Sequence, residues 1–122
     1  LPEEPAACMK ALSRRPFIAM SRSSAAGLAE RIDAACGAFG MSPAISIECN
    51  DAFSILSMVA AGAGWSIVPS PEMKSVNVSG IRSVKLPQTL VIGMAYRADV
   101  ISDDARRFIE LAREHFASMA QA

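Results

Sequence analysis

Cysteine, histidine and aromatic residues are scarce in this sequence, and each scarcity removes a class of chemistry. The three cysteines, Cys8, Cys36 and Cys49, are odd in number and widely spaced, with no CxxC pair among them. Neither a disulfide framework nor a zinc site is indicated, and a reduced, cytoplasmic setting is expected. The single histidine, His115, is assigned to the last turn of the final helix as a structural or solvated side chain. Nothing in the spacing brings Cys36 or Cys49 to it as a catalytic pair. Net charge is missing as well: twelve Lys and Arg offset twelve Asp and Glu over 122 residues. Such a chain has no field to draw in nucleic-acid backbones or anionic lipid, so direct binding to either is not expected. The longest apolar stretch, Ala52 to Val68, is broken by Ser54, Ser57, Gly62, Gly64 and Ser66 and falls short of a membrane span. There is no G-x-G-x-x-G after the first apolar run and no G-x-x-x-x-G-K-[ST] anywhere, which argues against a dinucleotide or P-loop site. Paired carboxylates, a nucleophile with its base and metal-ligand spacing are absent too, so neither an enzyme nor a cofactor is expected. The chain opens Leu1-Pro2-Glu3-Glu4-Pro5 without an initiator Met or a signal-peptide pattern. The expectation is a trimmed or partial chain whose missing portion carries part of the function.

What remains is the composition of an ordinary globular domain, 52% hydrophobic and 20% charged. A chain of this length buries roughly two-thirds of the surface it exposes unfolded, enough for one modest core. Pro16-Phe17-Ile18-Ala19-Met20 reads as a buried strand running into the polar cluster Ser21-Arg22-Ser23-Ser24. From Ser24 to Phe39, Leu28, Ile32, Ala35, Cys36 and Phe39 recur at helical spacing, and Gly40 supplies a stop. Cys36 falls on the apolar face and reads as core. Ala44 to Cys49 alternates like a second strand, and Asn50 or Asp51 is placed to cap a helix over Ala52 to Ala61. That helix carries Phe53, Ile55, Leu56, Met58 and Val59 with almost no charge, so cover on most sides is expected. Gly62-Ala63-Gly64 then turns the chain into a third strand, Trp65 to Val68, ended by Pro69. Strand, helix, strand, helix, strand within about 55 residues predicts a parallel sheet with right-handed crossovers. Beyond it, Ile81 to Leu86 and Leu90 to Tyr96 read as strands, and Ser102-Asp103-Asp104 opens a last helix whose Phe108, Leu111, Ala112, Phe116 and Met119 share a face. Such an apolar face needs cover, so a further part of the protein or another chain is expected over it.

In an open parallel sheet the strand C-termini line one edge, and ligands bind beyond it where the strand order reverses. If the third strand neighbours the first, with the second outside it, the crevice opens between Ser21–Ser24 and Pro69–Ser70. The hydroxyls of Ser21, Ser23 and Ser24, with the free N–H groups of the first helical turn, form a candidate seat for a carboxylate or other small anion. The competing reading is that one of these serines merely caps the helix. Cys49, at a strand end, is the one thiol with a minority redox reading.

Pro16-Phe17-Ile18-Ala19-Met20, Asn50-Asp51-Ala52-Phe53, the stretch Val59-Ala60-Ala61-Gly62-Ala63-Gly64-Trp65-Ser66-Ile67-Val68-Pro69 and Phe108-Ile109-Glu110-Leu111 together resemble the effector-binding region of LysR-type transcriptional regulators. The third stretch is the most specific, being similar to that family's V-A-A-G-x-G followed by an apolar strand and Pro. The resemblance spans about residues 9 to 118. It implies an α/β architecture with a parallel-core sheet and flanking helices, one lobe of a type II periplasmic-binding-protein-like fold. Residues 14–88 would form the second lobe, and residues 89–122 a crossing strand and a C-terminal helix that packs on a first lobe not present here. It further implies a small organic, acidic or aromatic effector held between lobes, with Ile18, Met20, Ser21, Ser24 and Pro69 as the matching contact positions. DNA would be bound only through a missing N-terminal helix-turn-helix domain, and the regulator would be a homodimer or tetramer. The helix expected from Ser24 to Phe39 and the strand from Ala44 to Cys49 resemble the segments through which the family's effector regions associate, with Ile45 and Ile47, or Leu28 and Ile32, as candidates, although the lobe's own core explains their apolar spacing as well. Ser21 stands where many members have Pro. The loop after strand 1 lacks the reactive Cys of the family's peroxide-sensing branch. A secreted solute-binding protein of a transport system is the alternative, and an export signal upstream would favour it.

Overall fold

Four consecutive apolar residues, Phe17–Met20, form strand β1, and all four are buried. A strand turns alternate side chains to opposite faces, so a run with no polar member needs cover on both sides. β1 has that cover. Phe17 and Ala19 join Met9, Ile32, Cys36 and Trp65 on one face, while Ile18 and Met20 pack with Ile55 on the other. The structure, a computed structural model, describes residues 2–89, 95, 97–99 and 101–120, excepting the side chains of Ser24, Met119 and Ala120. They belong to two compact units, Leu1–Leu90 and Val91–Ala122.

The first unit contains helix α1 (Pro5–Leu12), β1, helix α2 (Arg22–Ala38), strand β2 (Ile45–Cys49), helix α3 (Ala52–Ala60) and helix α4 (Ser70–Ser75). β2 runs parallel to β1, with Ile18 opposite Ile47 and Met20 opposite Cys49, and a one-residue shift between Phe17 and Ile18. Ile45 is 46% exposed on β2, whose outer residues face solvent. Helix α2 starts at Arg22, two residues before its predicted start, and is broken by the non-helical backbone of Ala25. Helix α3 begins where its cap predicts, with the Asp51 carboxylate accepting the Ser54 N–H at 2.8 Å.

Two helices lie outside the sequence-based expectations. α1 carries Pro5 in its first turn, and Glu4 accepts the Ala6 and Ala7 N–H groups at 3.1 and 2.8 Å, a capping signal in a segment too short for its periodicity to register. α4 has Pro71 and Glu72 at its start and Lys74 at its end, the charge order that suits the helix dipole. Two expected strands are corrected. The segment Trp65–Val68 makes a single parallel bridge, Trp65 to Phe17, in place of a full strand. Ser66 explains the truncation: its Oγ donates at 2.6 Å to the Ile18 carbonyl, the acceptor that the next rung of a parallel ladder would need. The stretch from Ile81 to Leu86 has no regular structure, and only Leu86 packs on the core. The expected strand from Leu90 to Tyr96 lies, except for Ala95, outside the described residues.

The second unit is built on helix α5 (Asp103–Ala120), where Ser102 Oγ accepts the Ala105 N–H at 3.1 Å. His115 is exposed there, more than a turn before the helix end, which corrects its expected place in the last turn.

Candidate functional site

Three chain exits define the C-terminal edge of the sheet. The Ser21 N–H donates to the Cys49 carbonyl at 2.8 Å, which ties the exit of β1 to that of β2. On the other side of β1, Trp65 N–H donates to Pro16 O at 3.0 Å and Ile18 N–H to Trp65 O at 2.8 Å. Beyond that bridge the ladder stops, and Val68, the residue before Pro69, packs with Ile18, Met20 and Ile55. The order across the sheet is therefore β2, β1, then the Trp65 segment, the arrangement under which the crevice opens beyond Ser21 and Pro69.

The local sequence fixes this edge in several ways. Gly64 lies so close to Pro16 that an added Cβ would sit 2.2 Å from its carbonyl oxygen, so only glycine lets Trp65 reach β1. Trp65 is then anchored by its indole N–H to Arg15 O at 3.1 Å and by an edge-on contact with Phe17, ring centroids 4.8 Å apart. Pro69 is the residue before α4 and is half-buried, while Ser70 is exposed.

Ser21 occupies the cap position of α2, yet its hydroxyl caps nothing. It pairs with Ser23 Oγ at 2.8 Å instead. Only 9% of Ser21 is exposed, whereas Ser23 is at the surface. The reading of Ser21 as a plain helix cap is therefore not what the hydroxyl geometry presents, while the Ala25 N–H bonds Ser21 O at 3.0 Å. Ser24 lies in the first turn of α2, and its side chain is outside the described residues. Ile18 is 0% exposed and Met20 is buried, so both stand beneath the edge, packed against Ile55. The structure thus pairs Ser21 with Ser23 at the exit of β1, buries Ile18 and Met20 within the strand, and leaves Pro69 half-buried before α4.

Two charged side chains near the strand exits are engaged, while Glu72, in the first turn of α4, has one buried carboxylate oxygen without a hydrogen-bond partner. Arg22 is paired with Asp33, whose hydrogen bond and charge raise the guanidinium pKa further. Asp51 is held below the usual carboxylate range by the Ser54 N–H and then by the Ser54 hydroxyl. Cys36 is fully buried, and burial followed by the charge of Asp33 pushes its thiol up, away from reactivity. Cys49 is half-buried against Ile18, Met20 and Ile55. Among the described residues no group of three or more His, Cys, Asp or Glu could hold a metal ion, and no helix is long and apolar enough to cross a membrane. Ser66, bonded to the Ile18 carbonyl, and Phe53, exposed in the first turn of α3, are positions to which sequence reasoning gave no role at the site. A hydroxyl inside an apolar strand was the available signal for Ser66; Phe53 was read only as part of an apolar helix.

Comparison with curated proteins and with solved structures gives no match. The family model for the LysR substrate binding domain does match, over residues 1–117. That family implies a periplasmic-binding-protein-like fold, of which an α/β unit with a small parallel sheet is a consistent part. With the match covering nearly the whole chain, this protein belongs to the LysR substrate-binding domain family, whose members are ligand-sensing, regulatory domains.

Proposed function

We propose that this chain is one lobe of the effector-sensing domain of a LysR-type transcriptional regulator, binding a small organic acid in a cleft between two lobes. The observation that supports this reading is the exit of β1 at Ser21, tied to the exit of β2 by the bond from Ser21 N–H to Cys49 O, with Val68 packed against Ile18 and Met20 just before Pro69. Hydroxyls of Ser21 and Ser23, with N–H groups of the opening turn of α2, are the donors for a carboxylate, and Ser24, in the same turn, is the third candidate of the seat. Ile18 and Met20, buried in β1, support the seat from beneath, and the half-buried Pro69 is its apolar contact. The chain performs no chemistry. A ligand that touches both lobes favours their closed arrangement by its differential affinity, and the closed geometry repositions helix-turn-helix domains attached through an N-terminal segment. The working assembly is a homodimer or tetramer in the cytoplasm.

The test is a thermal-shift titration of the full-length regulator with a panel of small carboxylic acids. At least one acid is expected to raise the melting temperature, and Ser21→Ala and Ser24→Ala are expected to weaken that response. A response unchanged in both variants removes the anion seat.

A further inference from the structure

We propose that Phe53 is the specificity-determining contact of this lobe, offering its ring to a flat, uncharged portion of the effector. The inference rests on the reading of the sheet edge as an effector seat and adds which part of the molecule that edge selects. Phe53 is the second residue of α3, immediately beyond the Asp51 cap and four residues past the end of β2. Side chains in a helix lean toward its N-terminus, so a first-turn residue overhangs the end from which the helix starts. For α3 that end is the C-terminal edge of the sheet, joined to the exit of β1 by the bond from Ser21 N–H to Cys49 O.

Phe53 is 61% exposed although Ile55 and Leu56 on the same helix are buried, so the core of the unit does not require its ring. The other exposed large apolar side chain described in that unit, Ile45, stands at the opposite end of β2. The chemistry of the edge matches an uncharged ring. Residues 52–71 contain no charged side chain. Arg22 is paired with Asp33, and the other charges flanking these strand and helix ends, Glu48, Asp51 and Glu72, are all negative and repel a carboxylate. A carboxylated effector is therefore best placed with its charged end at the serine hydroxyls and its flat apolar end toward Phe53. An aromatic face there takes a second ring in an offset or edge-on contact.

The test compares benzoate with acetate on the full-length regulator by titration calorimetry, for the wild type, Phe53→Ala, Phe53→Tyr and Ser21→Ala. Benzoate is expected to bind the wild type more tightly than acetate. Phe53→Ala should weaken benzoate roughly threefold to tenfold and leave acetate unchanged, and Phe53→Tyr should restore the preference. Equal benzoate affinity in the wild type and Phe53→Ala overturns the assignment of Phe53. If Ser21→Ala still weakens both acids in that case, the effector-seat reading survives it. Binding of neither acid to the wild type overturns both. Because the ring is mostly outside the core, circular dichroism should show Phe53→Ala folded.

Discussion

The contact between Gly64 and Pro16 gives the tightest constraint in the first unit. A Cβ at residue 64 would stand 2.2 Å from Pro16 O, a backbone atom that already accepts the Trp65 N–H. Neither the clash nor the hydrogen bond can be relieved without moving the Trp65 segment off β1. Gly64→Ala is therefore expected to lower stability by more than about 2 kcal/mol in denaturant titration. Gly37→Ala provides the contrast, since an added Cβ there meets nothing within 4 Å. In the last turns of α2 that change should be neutral or stabilising by up to about 1 kcal/mol. Trp65, the single tryptophan, is buried and reports both transitions by fluorescence. Similar losses for the two variants would remove the close-approach argument. The glycine signal was visible in the sequence as a turn. Its partner was not, because Pro16 and Gly64 are brought together only when the Trp65 segment docks beside β1.

At the scale of elements, α3 depends on a cap that titrates. The Asp51 carboxylate accepts the Ser54 N–H at 2.8 Å and the Ser54 hydroxyl at 2.9 Å, and these bonds lower its pKa in the folded state. A folded pKa below the unfolded one means that the stabilisation is present above the unfolded carboxylate value, about 3.9. It is lost as pH falls through the lower folded value. Thermal melts of the wild type are thus expected to show an acid-side loss that is reduced in Asp51→Asn, which keeps an acceptor but does not titrate. Because the group is exposed, the difference should be small and weaken with salt. Parallel acid profiles for the two proteins would show that the cap contributes nothing through its charge. This element was legible because both its signals are local: a capping residue followed by apolar positions at helical spacing. The Trp65 segment was less legible, since its apolar run says strand, but one hydroxyl, that of Ser66, diverts the Ile18 carbonyl from the ladder. The placing of the Trp65 segment beside β1, with β2 on the other side, was legible through the order of elements. The pairing of Ser21 Oγ with Ser23 Oγ was not, because a serine before a helix more often caps it.

At the scale of the whole chain, the apolar side chains of the second unit's helix matter most. Phe108, Leu111 and Phe116 are all exposed on α5, and their spacing of three and five residues keeps them on one side of the helix. Around them run charged residues, including the Arg107–Glu110 pair at 3.6 Å. An apolar stripe within a charged surround is poorly soluble as a free surface, and burying one such side chain contributes roughly 1.5–3 kcal/mol. The isolated 122-residue chain is therefore expected to self-associate as its concentration rises, visible as an increasing weight-average mass in analytical ultracentrifugation. Phe108→Glu should shift that association by about tenfold or more, since 1.4 kcal/mol corresponds to a factor of ten. Phe108→Glu combined with Phe116→Glu should leave a single monomeric species at the same concentration, with helical circular dichroism retained. A wild-type chain that stays monomeric throughout would show that the stripe does not drive association. An unchanged oligomer in the double variant would instead move the contact to another surface, with the exposed Ile45 on the outer strand β2 the next position to test.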